Sequence, residues 1–319
     1  MGARFITLGD VRGVGPDLVL QAAAEYGSPF DAVVVGSPEI LARRAAQLKL
    51  PNYNGEIFEP ENSPDNPIAQ PGAAAISYLE YSLSQLNKKS KKAGLLVTCP
   101  INKATMQKAG FQFPGHTEFL KNRAGVPRVF MLMINKKLKL ILTTIHEPLS
   151  KVPELLTRQK VTQTIKASVL ILKNDFNLDK PIIGVAGFKP HSGEQGNYGT
   201  KETEDIKPAI DDTLKWLSKN SIQAQILGPY PPDTIFWEAQ QGKLDFVVTM
   251  YHDQGLIAVK TTDIHSTVNF TAGLPFIRTS PDHGTAFSLA GTGKTDPGSF
   301  MAAWELGLKL QNNRIENSQ

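Results

Sequence analysis

Short runs of β-branched and apolar residues alternate with longer amphipathic stretches along this whole chain, and that alternation limits the fold more than any other feature. Strand-like runs fall at 5–8, 32–35, 95–98, 129–134, 138–144, 182–186, 224–227, 246–250 and 276–278. Helix-like stretches fall at 16–25, 38–48, 73–86, 117–123, 158–173, 204–219, 234–241, 284–290 and 299–310, several opening on Pro, Ser, Thr or Asp at a capping position. Many of the strands are near-continuous apolar runs, as expected when helices cover both faces of a sheet. The pattern predicts an α/β fold with a largely parallel sheet.

At 319 residues the chain suits two domains or one large one, at roughly 150 residues each. No Pro- or Ser-rich linker divides it, so two lobes would be crossed by the chain more than once. A single cysteine, Cys99, excludes internal disulfides and thiolate metal sites. A bound transition metal would therefore rest on histidine and carboxylate. The start of the chain shows no secretory signal, and no apolar run reaches the roughly 18 residues that span a bilayer. A cytoplasmic protein without membrane contact is expected. The net charge of +4 is too small to imply nucleic acid. The one dense basic run, at 88–92, lacks interleaved aromatics and suits a solvated helix end.

Ligands of open α/β sheets bind beyond the carboxyl ends of strands. Three of the six histidines follow strands there: His146, His191 within Lys189-Pro190-His191-Ser192-Gly193-Glu194, and His252 within Tyr251-His252-Asp253-Gln254. Three neutral imidazoles on one rim suit Zn or Co better than Mg. The alternative is three unrelated loop histidines, since their separation matches no local metal motif. The first strand feeds Gly9-Asp10-Val11-Arg12-Gly13-Val14-Gly15-Pro16. The dinucleotide fingerprint fails there, and the motif alone reads best as a tight βα turn. Gly115-His116-Thr117-Glu118 opens a helix, where Thr117 serves equally as a phosphate ligand or as a cap. Lys260, Asn269 and Arg278 each read as surface side chains, and together could neutralise a phosphorylated acid. The run His283-Gly284-Thr285-Ala286, followed by Ala290-Gly291, lets a flat ligand approach the backbone or simply starts a helix. No G-x-S-x-G elbow or P-loop is present.

Taken together and in order, these blocks are specific. Gly13-Val14-Gly15-Pro16, Pro100-Ile101-Asn102-Lys103, Gly115-His116-Thr117-Glu118-Phe119, Pro190-His191-Ser192-Gly193-Glu194, Pro232-Asp233-Thr234, Met250-Tyr251-His252-Asp253-Gln254 and Gly273-Leu274-Pro275-Phe276-Ile277-Arg278 resemble the 4-hydroxythreonine-4-phosphate dehydrogenase family. These are NAD-dependent enzymes of pyridoxal phosphate biosynthesis. The resemblance implies the two-lobed fold of isocitrate and isopropylmalate dehydrogenases, with a cleft between the lobes. Residues 1–126 with 268–319 would form the first lobe, and 127–267 a second, dimer-forming lobe. It implies a divalent metal on His146, His191 and His252, zinc first with cobalt or magnesium as alternatives, shared across a homodimer with the active site at its interface. His116, Thr117, Lys260, Asn269 and Arg278 match the substrate positions. His283, Gly284, Thr285 and Ala286 match a loop for the adenosine of NAD or NADP. One departure stands out: Val11-Arg12 occupies the place where the family usually has Pro-Ala.

The expected reaction is oxidation followed by decarboxylation, taking 4-phosphooxy-threonine to 3-amino-2-oxopropyl phosphate. The metal would lower the pKa of the substrate hydroxyl, a base would take its proton, and hydride would pass to the nicotinamide. Asp253, Asp233 and Lys260 are the base candidates, with Asp253 alternatively orienting a metal-bound histidine. Related dehydrogenases of threonate or erythronate 4-phosphate are the rival within the family. A phosphate acyltransferase of similar architecture would not need three rim histidines, and a solute-binding protein would normally carry an export signal.

Overall fold

The structure, a computed structural model, describes residues 2–87, 93–196 and 199–317, so the basic run at 88–92 lies outside the described residues. In chain order the first elements are β1 (Arg4–Thr7), α1 (Gly15–Tyr26), β2 (Val33–Val35), α2 (Pro38–Leu48), β3 (Ile57–Phe58), α3 (Pro71–Leu86), β4 (Leu95–Thr98), α4 (Lys103–Lys108) and α5 (His116–Arg123). Next come β5 (Phe130–Ile134), β6 (Lys139–Leu142), α6 (Val152–Leu155), α7 (Arg158–Phe176), β7 (Ile182–Ala186), α8 (Lys207–Lys219), β8 (Gln225–Tyr230), α9 (Ile235–Gln240), β9 (Phe246–Thr249) and α10 (His252–Asp263). The chain closes with β10 (Val268–Ala272), β11 (Ile277–Pro281) and α11 (Gly298–Glu316). Two compact units result: Met1–Val129 with Val268–Gln319, and Phe130–Thr267.

In the first unit the strands lie in the order β3-β2-β1-β4-β11-β10. All neighbours are parallel except the antiparallel pair β10–β11. Every residue of β4 is buried, which explains its unbroken apolar run. On α11, Phe300, Ala303, Trp304, Gly307 and Leu310 are buried along one stripe, and Trp304 meets Phe30 edge-on at 5.2 Å. Each such large side chain contributes about 1.5–3 kcal/mol through burial.

In the second unit the order is β5-β6-β9-β7-β8, parallel except for β5–β6. Its core gathers Met131, Met133, Leu140, Leu142, Val247, Leu256 and Val259. Helix α10 lies close on β6 through Gly255, where an added Cβ would stand 2.8 Å from Leu142 Cδ2 and 2.9 Å from Leu140 Cδ1. That approach fixes the start of the helix, and with it His252. Among the described residues no helix is long and apolar enough to cross a membrane.

The α/β class and the predominance of parallel pairs match the pattern read from sequence. Several elements differ. The stretch at 284–290 is a series of turns, not a helix. The stretch is tied to the start of the chain: Thr285 O accepts from Val14 N of the β1–α1 loop at 3.0 Å, and just beyond it Gly291 N donates to Asp17 Oδ1 of α1 at 2.7 Å. Strands β3 and β10 and helices α4, α6 and α10 have no counterpart in the sequence pattern. Helix α10 carries Gly255, Ile257, Val259, Thr261 and Thr262, all weak helix formers, and forms because its apolar face is buried. His252 is therefore the first residue of a helix, not a loop residue.

Candidate active site

The first unit buries a cation, Arg278, among polar side chains. β11 pairs with β10 so that Arg278 stands opposite Thr271 and Ser280 opposite Asn269. Side chains two apart on a strand share a face, so Asn269, Thr271, Arg278 and Ser280 point the same way. Arg278 is only 3% exposed. Its Nη1 donates to Thr271 Oγ1 at 3.0 Å and its Nη2 to Thr98 Oγ1, at the end of β4, at 2.7 Å. Nη2 also lies 3.4 Å from His116 Nδ1 at the start of α5. Burial pulls the Arg278 pKa down to about 10, against the opposing pull of Glu118, so the group stays cationic at neutral pH. Among the described residues no carboxylate forms an ion pair with it.

His116 is held neutral. Burial lowers its pKa well below the ordinary value, and the charges of Arg278 and then Lys103 lower it further. With Nδ1 facing an arginine donor, the neutral ring carries its proton on Nε2. That Nε2, Arg278 Nε and Asn269 Oδ1 are all buried without a hydrogen-bond partner. An orphaned imidazole N–H beside a guanidinium whose own Nε–H is unmet is costly unless a ligand meets both. Thr117 is the second residue of α5, and its side chain makes no capping bond, so its hydroxyl is not spent on the helix. The cap position belongs to Gly115, whose backbone is extended.

Lys103, in the Pro100-Ile101-Asn102-Lys103 block, has no role that the sequence motif by itself assigns. The structure puts its Nζ 3.8 Å from where a Cβ on Gly115 would be, and its ammonium makes no hydrogen bond or ion pair among the described residues. Asn102 caps α4 by accepting from Thr105 N at 3.1 Å, which fixes Lys103 at the first helical position. The signal available in sequence was the cap itself, Asn before Lys at a strand end.

The second unit carries the histidines and carboxylates. His146 follows β6 and His252 opens α10, with ring centroids 5.5 Å apart. Two imidazoles bound to one zinc ion at bonds of about 2.0–2.1 Å have centroids about 5 Å apart, so this pair fits one divalent ion. His252 Nδ1 lies 2.7 Å from Asp253 Oδ1, which directs Nε2 outward as metal-binding histidines require. Among the described residues no three His, Cys, Asp or Glu side chains form a metal-binding group, so His191 does not join the pair within one chain. His191 instead lines an open pocket of about 530 Å³ with Asp233, Asp253, Tyr251, Gln254 and Phe236. Its backbone is left-handed, as is that of Ser192, with φ of 50° and 53°. Such strain in non-glycine residues is found at functional turns. Asp233 is exposed at this pocket and has no hydrogen bond or ion pair among the described residues. Lys260 lies on α10 and belongs to this unit, whereas His116, Thr117, Asn269 and Arg278 belong to the first.

A third feature lies in the first unit, where two loops are stitched together. Besides the Val14–Thr285 and Asp17–Gly291 bonds, Arg44 pairs with Asp17 and donates to Gly13 O at 3.1 Å. Gly13 passes so near that a Cβ would stand 2.6 Å from Thr285 O. Phe287 and Leu289 are exposed beside this seam, and a Cβ on Gly284 would meet nothing within 4 Å. An exposed aromatic ring beside accessible backbone fits the flat end of a dinucleotide.

Fold and side chains together define a two-unit α/β protein with a buried arginine beside unmet polar atoms in one unit and a close pair of histidines in the other. A sequence model described as "Pyridoxal phosphate biosynthetic protein PdxA" matches residues 19–307. The 4-hydroxythreonine-4-phosphate dehydrogenase of Serratia proteamaculans is 39% identical over 325 residues, covering 96% of each chain. That of Desulfosudis oleivorans is 36% identical, covering 95% of this chain and 94% of its own. The crystal structure of 4-hydroxythreonine-4-phosphate dehydrogenase from Klebsiella pneumoniae superposes with a TM-score of 0.82 at 31% identity, covering 98% of this chain and all of that one. Isocitrate dehydrogenase from Methylococcus capsulatus shares the fold alone, at a TM-score of 0.51 and 12% identity. The chain belongs to the PdxA family of pyridoxal phosphate biosynthetic proteins, and it is an oxidoreductase.

Proposed function

We propose that this chain oxidises and decarboxylates 4-phosphooxy-threonine to 3-amino-2-oxopropyl phosphate with NAD or NADP as the oxidant. The observation that carries this reading is Arg278: a buried cation with no anionic partner among the described residues, beside orphaned donors. Such a cation is stabilised by a dianionic ligand more than by water. Arg278 and His116 Nε2 would donate to the phosphate, and Thr117 and Lys103 would complete the seat. Asn269 Oδ1 is left to accept from a substrate donor. Lys260 adds positive charge.

His146 and His252, with His191 as third donor from the partner subunit of a homodimer, would hold a divalent ion, zinc first with cobalt or magnesium as alternatives. Bound there, that ion polarises the substrate hydroxyl and the carbonyl that follows it, while a nicotinamide accepts hydride. Asp253 is engaged with His252 and is a positioning residue. Asp233, a carboxylate free to accept a proton at the pocket that His191 lines, is the better base for the substrate hydroxyl. The fixed donors of the anion seat hold the reacting carbon in one orientation.

The test is NAD(P)H formation with 4-phosphooxy-threonine, threonate 4-phosphate and erythronate 4-phosphate in parallel. The first is expected to give the highest kcat/KM. A higher value with either sugar acid would replace this substrate with that one, and no turnover of any would overturn the reading.

A further inference from the structure

The Val11-Arg12 departure has a structural answer. Arg12 is held along one edge by Asp10: its Nε donates to Oδ1 at 3.1 Å and its Nη2 to Oδ2 at 3.0 Å. Asp10 is buried at 1% exposure and also accepts from the Arg12 backbone N–H at 3.1 Å and from Thr105 Oγ1 at 3.4 Å. The carboxylate therefore serves as a mount that fixes the guanidinium plane. The guanidinium lies over the Phe287 ring, with Cζ 5.3 Å from the centroid. Phe287 is 43% exposed and the Arg12 side chain 37% exposed. Arg12 Nη1 has no partner among the described residues.

The loop under this guanidinium holds no carboxylate from Gly284 through Gly293, and Lys294 follows. Dinucleotide sites that select NAD place a carboxylate on the adenosine ribose hydroxyls, whereas an arginine nearby takes the 2′-phosphate of NADP. A planar guanidinium fixed on an aromatic face is suited to bidentate phosphate binding. We infer that Arg12 is the cofactor-selecting residue of this chain: its free edge takes the 2′-phosphate, and the site prefers NADP over NAD. This rests on the reading of the 283–293 loop as the adenosine seat.

The experiment is equilibrium binding by calorimetry of two fragments, 2′,5′-ADP and 5′-AMP, to the unreacted protein. The wild type is expected to bind 2′,5′-ADP at least tenfold more tightly. Arg12→Met, and the double variant Asp10→Asn/Arg12→Met that leaves no buried charge behind, should bind both fragments with the affinity that the wild type has for 5′-AMP. Equal binding of the two fragments by the wild type, or a preference that survives in a folded Arg12→Met, overturns the proposal alone. Failure of both fragments to bind overturns the adenosine seat and the proposal with it. The wild-type comparison decides the matter even where a variant does not fold.

Discussion

At the scale of single residues, Arg278 separates stability from function. It is buried with two threonine hydroxyls and no carboxylate, so the folded chain bears its desolvation. Arg278→Met is expected to lower kcat/KM by at least about 100-fold while the denaturant midpoint of the ligand-free protein stays level or rises. A clear fall in the midpoint would show the guanidinium to be structural. His116 gives a pH dependence with a definite sign. Its folded pKa lies well below 6.5, so the unfolded chain takes a proton that the folded chain refuses. Its contribution to stability is complete above about pH 6.5 and is lost as the pH falls towards the depressed folded value. His116→Asn should flatten the decline in unfolding free energy between about pH 7 and pH 5, measured by urea titration. Lys103 is exposed, so Lys103→Gln should leave stability unchanged and raise KM for the phosphorylated substrate about tenfold, more at low salt than at high.

At the scale of elements, α10 is the piece that positions chemistry. It brings His252 against His146, carries Asp253 and Lys260, and seats on β6 through Gly255. Gly255→Val forces a side chain into Leu140 and Leu142. It is expected to cost about 1–3 kcal/mol by overpacking and to lower metal content, measured by elemental analysis of the folded variant. Retained metal in a destabilised variant would separate the helix seat from the histidine pair. This element was unread because its glycine and β-branched residues argue against a helix. The contacts that outweigh them come chiefly from β6 and β5, remote in sequence. The 284–290 turns show the converse. The local pattern suggests a helix, but Thr285 O accepts from Val14 N, and Asp17 holds Gly291 N just beyond the stretch.

At the scale of the whole molecule, one chain pairs His146 with His252 and leaves His191 outside that pair. A homodimer that shares ligands predicts complementation. Mixed and refolded His191→Ala and His252→Ala chains should recover roughly a quarter of wild-type activity, since half the dimers then hold one intact site. Absence of recovery would put all three ligands on one chain. The sequence alone determined the α/β alternation, because a strand covered on both faces must be apolar throughout and a helix on its surface must be apolar on one side. Its ordered motifs also carry the family resemblance and the set of candidate site residues. Tertiary structure decided which of them act together. Arg278, Asn269 and Lys260 looked alike in sequence, as polar residues of late segments. Only strand pairing with β4 and β10 buries Arg278 and leaves its Nε unmet, and only the meeting of two distant loops gives Arg12 an aromatic face. Burial and unmet hydrogen bonds belong to neighbours, and neighbours here are tens to hundreds of residues apart along the chain.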